Sequence, residues 1–127
     1  MAKSRIFVVV DDMRTLEVCF DTLRRLNDTE IVLASQSRCA AQTLATEDFD
    51  LLIADIQMPG LDGFALLRIA RDHYPQLPVL LLTAPPCVQT TTESLKQGDI
   101  DYLTKPFSPE VLLATVRRLL KYKALQC

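Results

Sequence analysis

Residues 7–13 read FVVVDDM, which sets two carboxylates, Asp11 and Asp12, side by side at the end of an apolar run. Two unit charges about 4 Å apart repel by roughly 4 kcal/mol at an effective dielectric near 20. A third carboxylate, Asp55, closes the run DLLIAD; Thr83 closes PVLLLT, and Lys105 follows DYLT. Each has an ordinary role when taken singly. An Asp after a strand caps a helix, Thr is a β former, and a loop Lys is solvated. Brought to one rim, the three carboxylates require a cation. An all-oxygen set with room for water and phosphate favours Mg2+ (or Mn2+) over a softer metal. One carboxylate can then attack an electrophilic phosphorus and become an acyl phosphate. The ion and Lys105 would offset charge on the moving phosphoryl group, and the Thr83 hydroxyl could donate to one of its oxygens. Asp55 is the natural nucleophile because the adjacent pair is better placed to hold metal, although spacing alone does not prove that division.

The elements that must gather these residues are legible as two alternating patterns. Five short apolar runs, RIFVVV (5–10), EIVLA (30–34), DLLIAD (50–55), PVLLLT (78–83) and DYLT (101–104), predict strands. Most are continuous rather than alternating, as in a parallel sheet covered on both faces. Helical patterns fill the gaps. Leu16, Cys19, Phe20, Leu23 and Leu26 form an apolar stripe, and residues 37–46 carry a small inner face of Ala40, Ala41 and Leu44. Asp62 is placed to cap a helix from Gly63 to about Asp72, with Phe64, Leu67 and Ala70 inward. Residues 88–97 make a fourth candidate, stopped by Gly98. The last helix starts after Ser108 with Pro109 at its first position, and buries Leu112, Leu113, Val116, Leu119 and Leu120.

Alternation of this kind predicts a doubly wound α/β fold, (βα)5, with a parallel five-stranded sheet in the order 2-1-3-4-5. Ligands of such sheets sit outside the carboxyl ends of the strands, where strands 1 and 3 diverge. That rule draws Asp11, Asp12, Asp55, Thr83 and Lys105 to one edge.

The bulk composition narrows the function. The chain has 127 residues, 49% hydrophobic, with a formal net charge of −2, which suits one domain with a sizeable core. The charge is mixed along the chain and lacks the basic footprint of a nucleic-acid binder. No apolar run approaches the roughly 20 residues that span a bilayer. Strand-like sequence from Arg5 leaves no room for a signal peptide. The four cysteines show no CxxC spacing and read as reduced thiols of a cytoplasmic protein.

The stretches VVVDD, DLLIADIQMPGLDG, LLLTA and DYLTKPF, in this order and at these intervals, resemble the receiver domain of bacterial two-component response regulators. The likeness runs from about Arg5 to Tyr122, within a single domain of residues 1–127, and GDIDYLTKPF is most similar to receivers of the nitrogen-regulator type. The resemblance implies a CheY-like, flavodoxin-like fold and a Mg2+-dependent transfer of phosphate to Asp55 from a sensor histidine kinase. It implies that Asp12 holds the ion directly, Asp11 through water, and the Gln57 carbonyl completes the ligands. Thr83 would be the switch hydroxyl, Lys105 the phosphate-binding lysine with a cis peptide before Pro106, and Tyr102 the aromatic switch. The face changed by phosphorylation would span residues 88–122 and would engage an output domain, a downstream protein or a second copy. The domain itself would touch neither nucleic acid nor membrane, and would act as a signalling element rather than a metabolic enzyme.

Three departures bear on this reading: the APPC loop, Asp99 where the family usually has a small Ala, and Ser37 in place of a common Gly before helix 2. APPC after Thr83 stiffens a loop that should move. Pro85 offers no donor to orient an attacking water, which implies slow autodephosphorylation. Two alternatives stand beside it. One is a pseudo-receiver that switches without phosphate. The other is an enzyme on a similar sheet, a flavin protein or an aspartate phosphatase, but no Ser/Thr/Gly-rich phosphate loop follows strand 1 and DDM there lacks the DxD arrangement of the aspartate phosphatases.

Overall fold

The five apolar runs form five strands, β1 Ser4–Val9, β2 Thr29–Ala34, β3 Leu51–Asp55, β4 Val79–Thr83 and β5 Ile100–Thr104. They lie in the order β2-β1-β3-β4-β5, with every pairing parallel. The computed structural model describes residues 4–26, 29–56, 63–74, 77–83, 100–104 and 107–126. The predicted helix at 88–97, the Asp62 cap and Pro85 lie outside the described residues.

Continuous apolar sequence reflects burial on both faces. Every residue of β3 is buried, and successive residues feed two separate cores. Phe7, Val9, Leu52, Ala54, Val79 and Leu81 face one way, against Ala40 and Leu44 of helix α2 (Ser37–Thr46) and Leu66, Leu67 and Ala70 of helix α3 (Gly63–His73). Ile6, Val8, Val10, Leu51, Ile53, Leu80 and Leu82 face the other. They meet Leu16, Cys19 and Leu23 of helix α1 (Met13–Leu23) and Leu112, Val116 and Leu119 of the C-terminal helix Pro109–Gln126. The last helix begins as its sequence predicts. Ser108 caps it, its hydroxyl oxygen accepting the Val111 N–H at 3.2 Å.

One inward assignment is corrected. Phe20 is 38% exposed, and Thr22 is buried instead. At 3.6 residues per turn, Phe20 lies roughly 90° from the centre of the stripe that Leu16, Cys19, Thr22 and Leu23 define. Its place in the i, i+4 series put it at the stripe's flank. Leu113 and Leu120 are half-buried at the margin of their helix.

The amino-terminal edge of the sheet is held by Arg5. Its guanidinium donates to Glu30 Oε2 at 2.6 Å, to Glu47 Oε1 at 2.7 Å and to the Asp48 carbonyl at 2.9 Å. It also lies 4.8 Å from the centre of the Phe49 ring, which stacks on Phe7 at 4.6 Å. The hydrogen bonds from Arg5 to Glu47 and Glu30 raise its pKa above the ordinary value. A carbonyl hydrogen bond contributes about 1 kcal/mol, exposed ion pairs a few tenths each, and the ring contact about 0.5 kcal/mol. Arg5→Ala is therefore expected to cost about 2 kcal/mol in urea unfolding. Arg5→Lys should recover less than half, because an ammonium cannot fork to three acceptors. Full recovery by lysine would show that charge alone matters there.

Candidate functional site

The opposite, carboxyl-terminal edge carries the candidate site residues. Asp55 is the last residue of β3 and is only 4% exposed. Among the described residues, only it and Thr22 are both polar and buried. Ionised groups are costly to bury unless their charge is compensated, so a buried carboxylate at a strand end is a marked position. Its register partner across the ladder is Leu82, and Thr83 follows directly as the last residue of β4, opposite Thr104 of β5. On the other side, Val9 of β1 pairs with Ala54. Carried one residue further, that register sets Val10 level with Asp55 and places Asp11 and Asp12 just beyond. Adjacent strands lie about 4.8 Å apart. The fold therefore brings the carboxylate pair, Asp55 and the Thr83 backbone to one edge, as the topology rule predicts.

Asp11 is exposed. Asp12, also exposed, is the N-cap of α1, with an extended backbone at φ −91° and ψ 117°. Its carbonyl accepts the Leu16 N–H at 2.9 Å. Its carboxylate accepts the Arg14 N–H at 3.2 Å and the Thr15 hydroxyl at 2.7 Å. The cap and the proposed metal ligand are thus the same side chain, where sequence reasoning weighed them as separate roles for one of the pair. Thr15 was missed. The only signal was the D-x-x-T spacing, a hydroxyl three residues into the helix.

Gln57, Lys105 and Pro106 lie outside the described residues, as do the side chains of Thr83 and Tyr102. Tyr102 sits within β5, paired through its backbone with Leu81. Among the described residues no three His, Cys, Asp or Glu side chains are gathered closely enough to hold an ion. The donor chemistry nevertheless fits Mg2+. All the described candidates are carboxylates, one buried and two open to water, which suits a hard cation that keeps several waters. His73, the chain's one histidine, ends α3 and is exposed. None of the described helices is long and apolar enough to cross a membrane.

The chain belongs to the response regulator receiver domain family, whose model matches residues 6–117. It is 43% identical over 115 residues to the response regulator protein FleR of Pseudomonas aeruginosa, covering 91% of this chain and 24% of FleR. Over 125 residues it is 34% identical to the DNA-binding transcriptional regulator NtrC of Proteus hauseri, covering 96% of this chain and 26% of NtrC. The chain thus spans about a quarter of the length of these relatives. Among solved structures, the receiver domain of Francisella response regulator 1452 superposes with a TM-score of 0.80 at 32% identity, covering 94% of this chain and 98% of that one.

Proposed function

We propose that this receiver takes a phosphoryl group from the phosphohistidine of a sensor kinase onto Asp55, in a Mg2+-dependent reaction. The observation that carries the reading is a buried carboxylate ending a central strand, at the same sheet edge as an exposed carboxylate pair, in a chain of this family. An Asp55 Oδ attacks phosphorus, the P–N bond breaks, and its electron pair leaves with the imidazole. When bound, Mg2+ supplies charge neutralisation at the phosphoryl oxygens. Asp12 would hold it directly, Asp11 through water, with the Gln57 carbonyl as a further ligand. Lys105 would pair with a phosphate oxygen and the Thr83 hydroxyl would donate to another. A phosphorylated Asp55 gains negative charge, and Thr83 with Tyr102 would relay the change to a face spanning residues 88–122.

That face would meet an output domain, a downstream protein or a second copy of the chain. NtrC is a DNA-binding transcriptional regulator, which favours a transcriptional output, and the receiver would act in the cytoplasm. Residues 1–127 would form one receiver domain. Incubation with acetyl phosphate tests the reading. One phosphoryl group per chain is expected by intact mass with Mg2+ present, and none after chelation; equal uptake in both would overturn it.

A second expectation concerns the metal alone. Neutralising Asp11, Asp12 and Asp55 removes a repulsion of the folded state, and ligand binding stabilises by RT ln(1 + [L]/Kd). Millimolar Mg2+ should raise Tm by several degrees, and Asp12→Ala should remove most of that gain. A parent whose Tm ignores Mg2+ would reduce Asp11 and Asp12 to a helix cap and its neighbour.

A further inference from the structure

We propose that the outer edge of β2 docks a second copy of this chain, the two β2 strands pairing antiparallel about a twofold axis at Val32.

The backbone limits the registers. β2 closes one side of the sheet and is bonded to β1 alone. Neighbouring residues of a strand turn their N–H and C=O groups to opposite sides. The Ala34 carbonyl accepts the Val10 N–H at 3.1 Å. Ala34, Val32 and Glu30 therefore turn inward to β1, and Ile31 and Leu33 turn outward. Among the described residues no backbone group bonds to these outward N–H and C=O groups. An isologous contact needs a self-complementary edge. With Val32 on the axis, Ile31 of each copy exchanges both of its backbone bonds with Leu33 of the other, and four donors meet four acceptors.

Side chains choose among these registers. Directly opposed residues share a face of the sheet. Ile31 packs on the core beneath α1, and Leu33, two residues on, lies on the same face. The axis at Val32 sets these two apolar side chains against each other twice, with Glu30 opposite Ala34. An axis at Ile31 would set Leu33 against Thr29. An axis at Glu30 would bring two like carboxylates together, which is unfavourable. Glu30 is the one charged residue of the strand, and Arg5 of its own chain holds it at 2.6 Å. The strand has neither the lysine nor the proline that commonly guards an open edge.

Two exposed apolar side chains border the same rim. Leu33 is one, and Phe20 of α1 is the other. Helix α1 packs against both the C-terminal helix and β2. Thr22, on one flank of the apolar stripe, is buried, so the C-terminal helix covers that flank. Phe20 lies about 160° round the helix from Thr22, on the flank towards β2, as a right-handed β1–α1–β2 connection requires. A second β2 strand would bring water-exposed Leu33 and Phe20 into an apolar contact shared by both copies.

Sedimentation velocity of the unphosphorylated 127-residue chain in metal-free buffer, from about 10 µM to about 1 mM, spans the affinity of a contact this small. The weight-average mass should rise with concentration towards that of two chains. Amide-resolved hydrogen exchange reads the register in the parent itself. The Ile31 and Leu33 N–H groups should slow severalfold at the high concentration, and those of β5 should not. Leu33→Pro removes an outward donor without touching a bond to β1, which an edge strand tolerates, and it should abolish the association. Leu33→Lys should do the same by placing a charge in the apolar pair. A parent that stays monomeric over the whole range overturns the proposal. Association that leaves the Ile31 and Leu33 amides unprotected, or that survives both substitutions, also overturns it, because the contact then uses another face such as residues 88–122. If both variants unfold, the exchange pattern of the parent decides.

Discussion

Asp55→Asn is expected to leave the chain folded and unable to take up a phosphoryl group from acetyl phosphate. The substitution preserves volume in a site that is 4% exposed, so packing on β3 is maintained. It replaces a charged nucleophile by a neutral amide whose oxygen is too weak to displace a phosphate leaving group. Asp11 and Asp12 are exposed and remain present in this variant. If either were the acceptor, intact mass would still show the added group, and Asp55 would lose its assigned role. The same variant should be no less stable than the parent in metal-free buffer, since it removes one of the charges crowded at the edge. Loss of phosphoryl uptake with an unchanged unfolding midpoint separates the chemical role from a structural one.

Leu52→Ala should be strongly damaging, at about 2–5 kcal/mol, from lost burial and the cavity left behind. Leu52 is fully buried in the central strand and packs in the core beneath α2 and α3. Domains of this size are stable by only about 5–15 kcal/mol, so the variant would lose a large share of the total. Leu33→Ala is the control. Leu33 lies on edge strand β2 and is 40% exposed, and its truncation should stay within about 0.5 kcal/mol of the parent. Urea unfolding of both measures the contrast. Similar losses in the two would mean that the sheet is not covered on the face that Leu52 occupies.

Strand positions and order were readable because parallel strands buried on both faces leave an unmixed apolar signature, and Leu51 to Ala54 show it plainly. Helix starts at Gly63 and Pro109 were readable because Asp62, a capping residue type, precedes the first and a ring-constrained residue opens the second. The inward side of α1 was harder. Phe20 is large and apolar, yet a 3.6-residue period gives the flank of a stripe nearly the same spacing as its centre. The placement of Asp11, Asp12, Asp55 and the Thr83 backbone at one edge was readable because strand-end position is a one-dimensional property and topology supplies the rest. The orientation of Asp12 towards Thr15 is a rotamer choice, which spacing suggests but does not decide. Arg5 was opaque for a different reason. Its partners lie 25, 42, 43 and 45 residues away, and nothing local to RIFVVV points to them.

The two cores differ in what they connect. Among the described residues, the slab under α2 and α3 contains neither the first turn after the carboxylate pair nor the C-terminal helix. The other slab contains both: Leu16, one turn from the Asp12 cap, shares a packed layer with Leu112, Val116 and Leu119. A displacement at the start of α1 therefore meets the last helix side chain to side chain, without crossing the sheet. In mechanical terms, the start of α1 and the C-terminal helix ride on one plate, while α2 and α3 ride on the plate across the sheet.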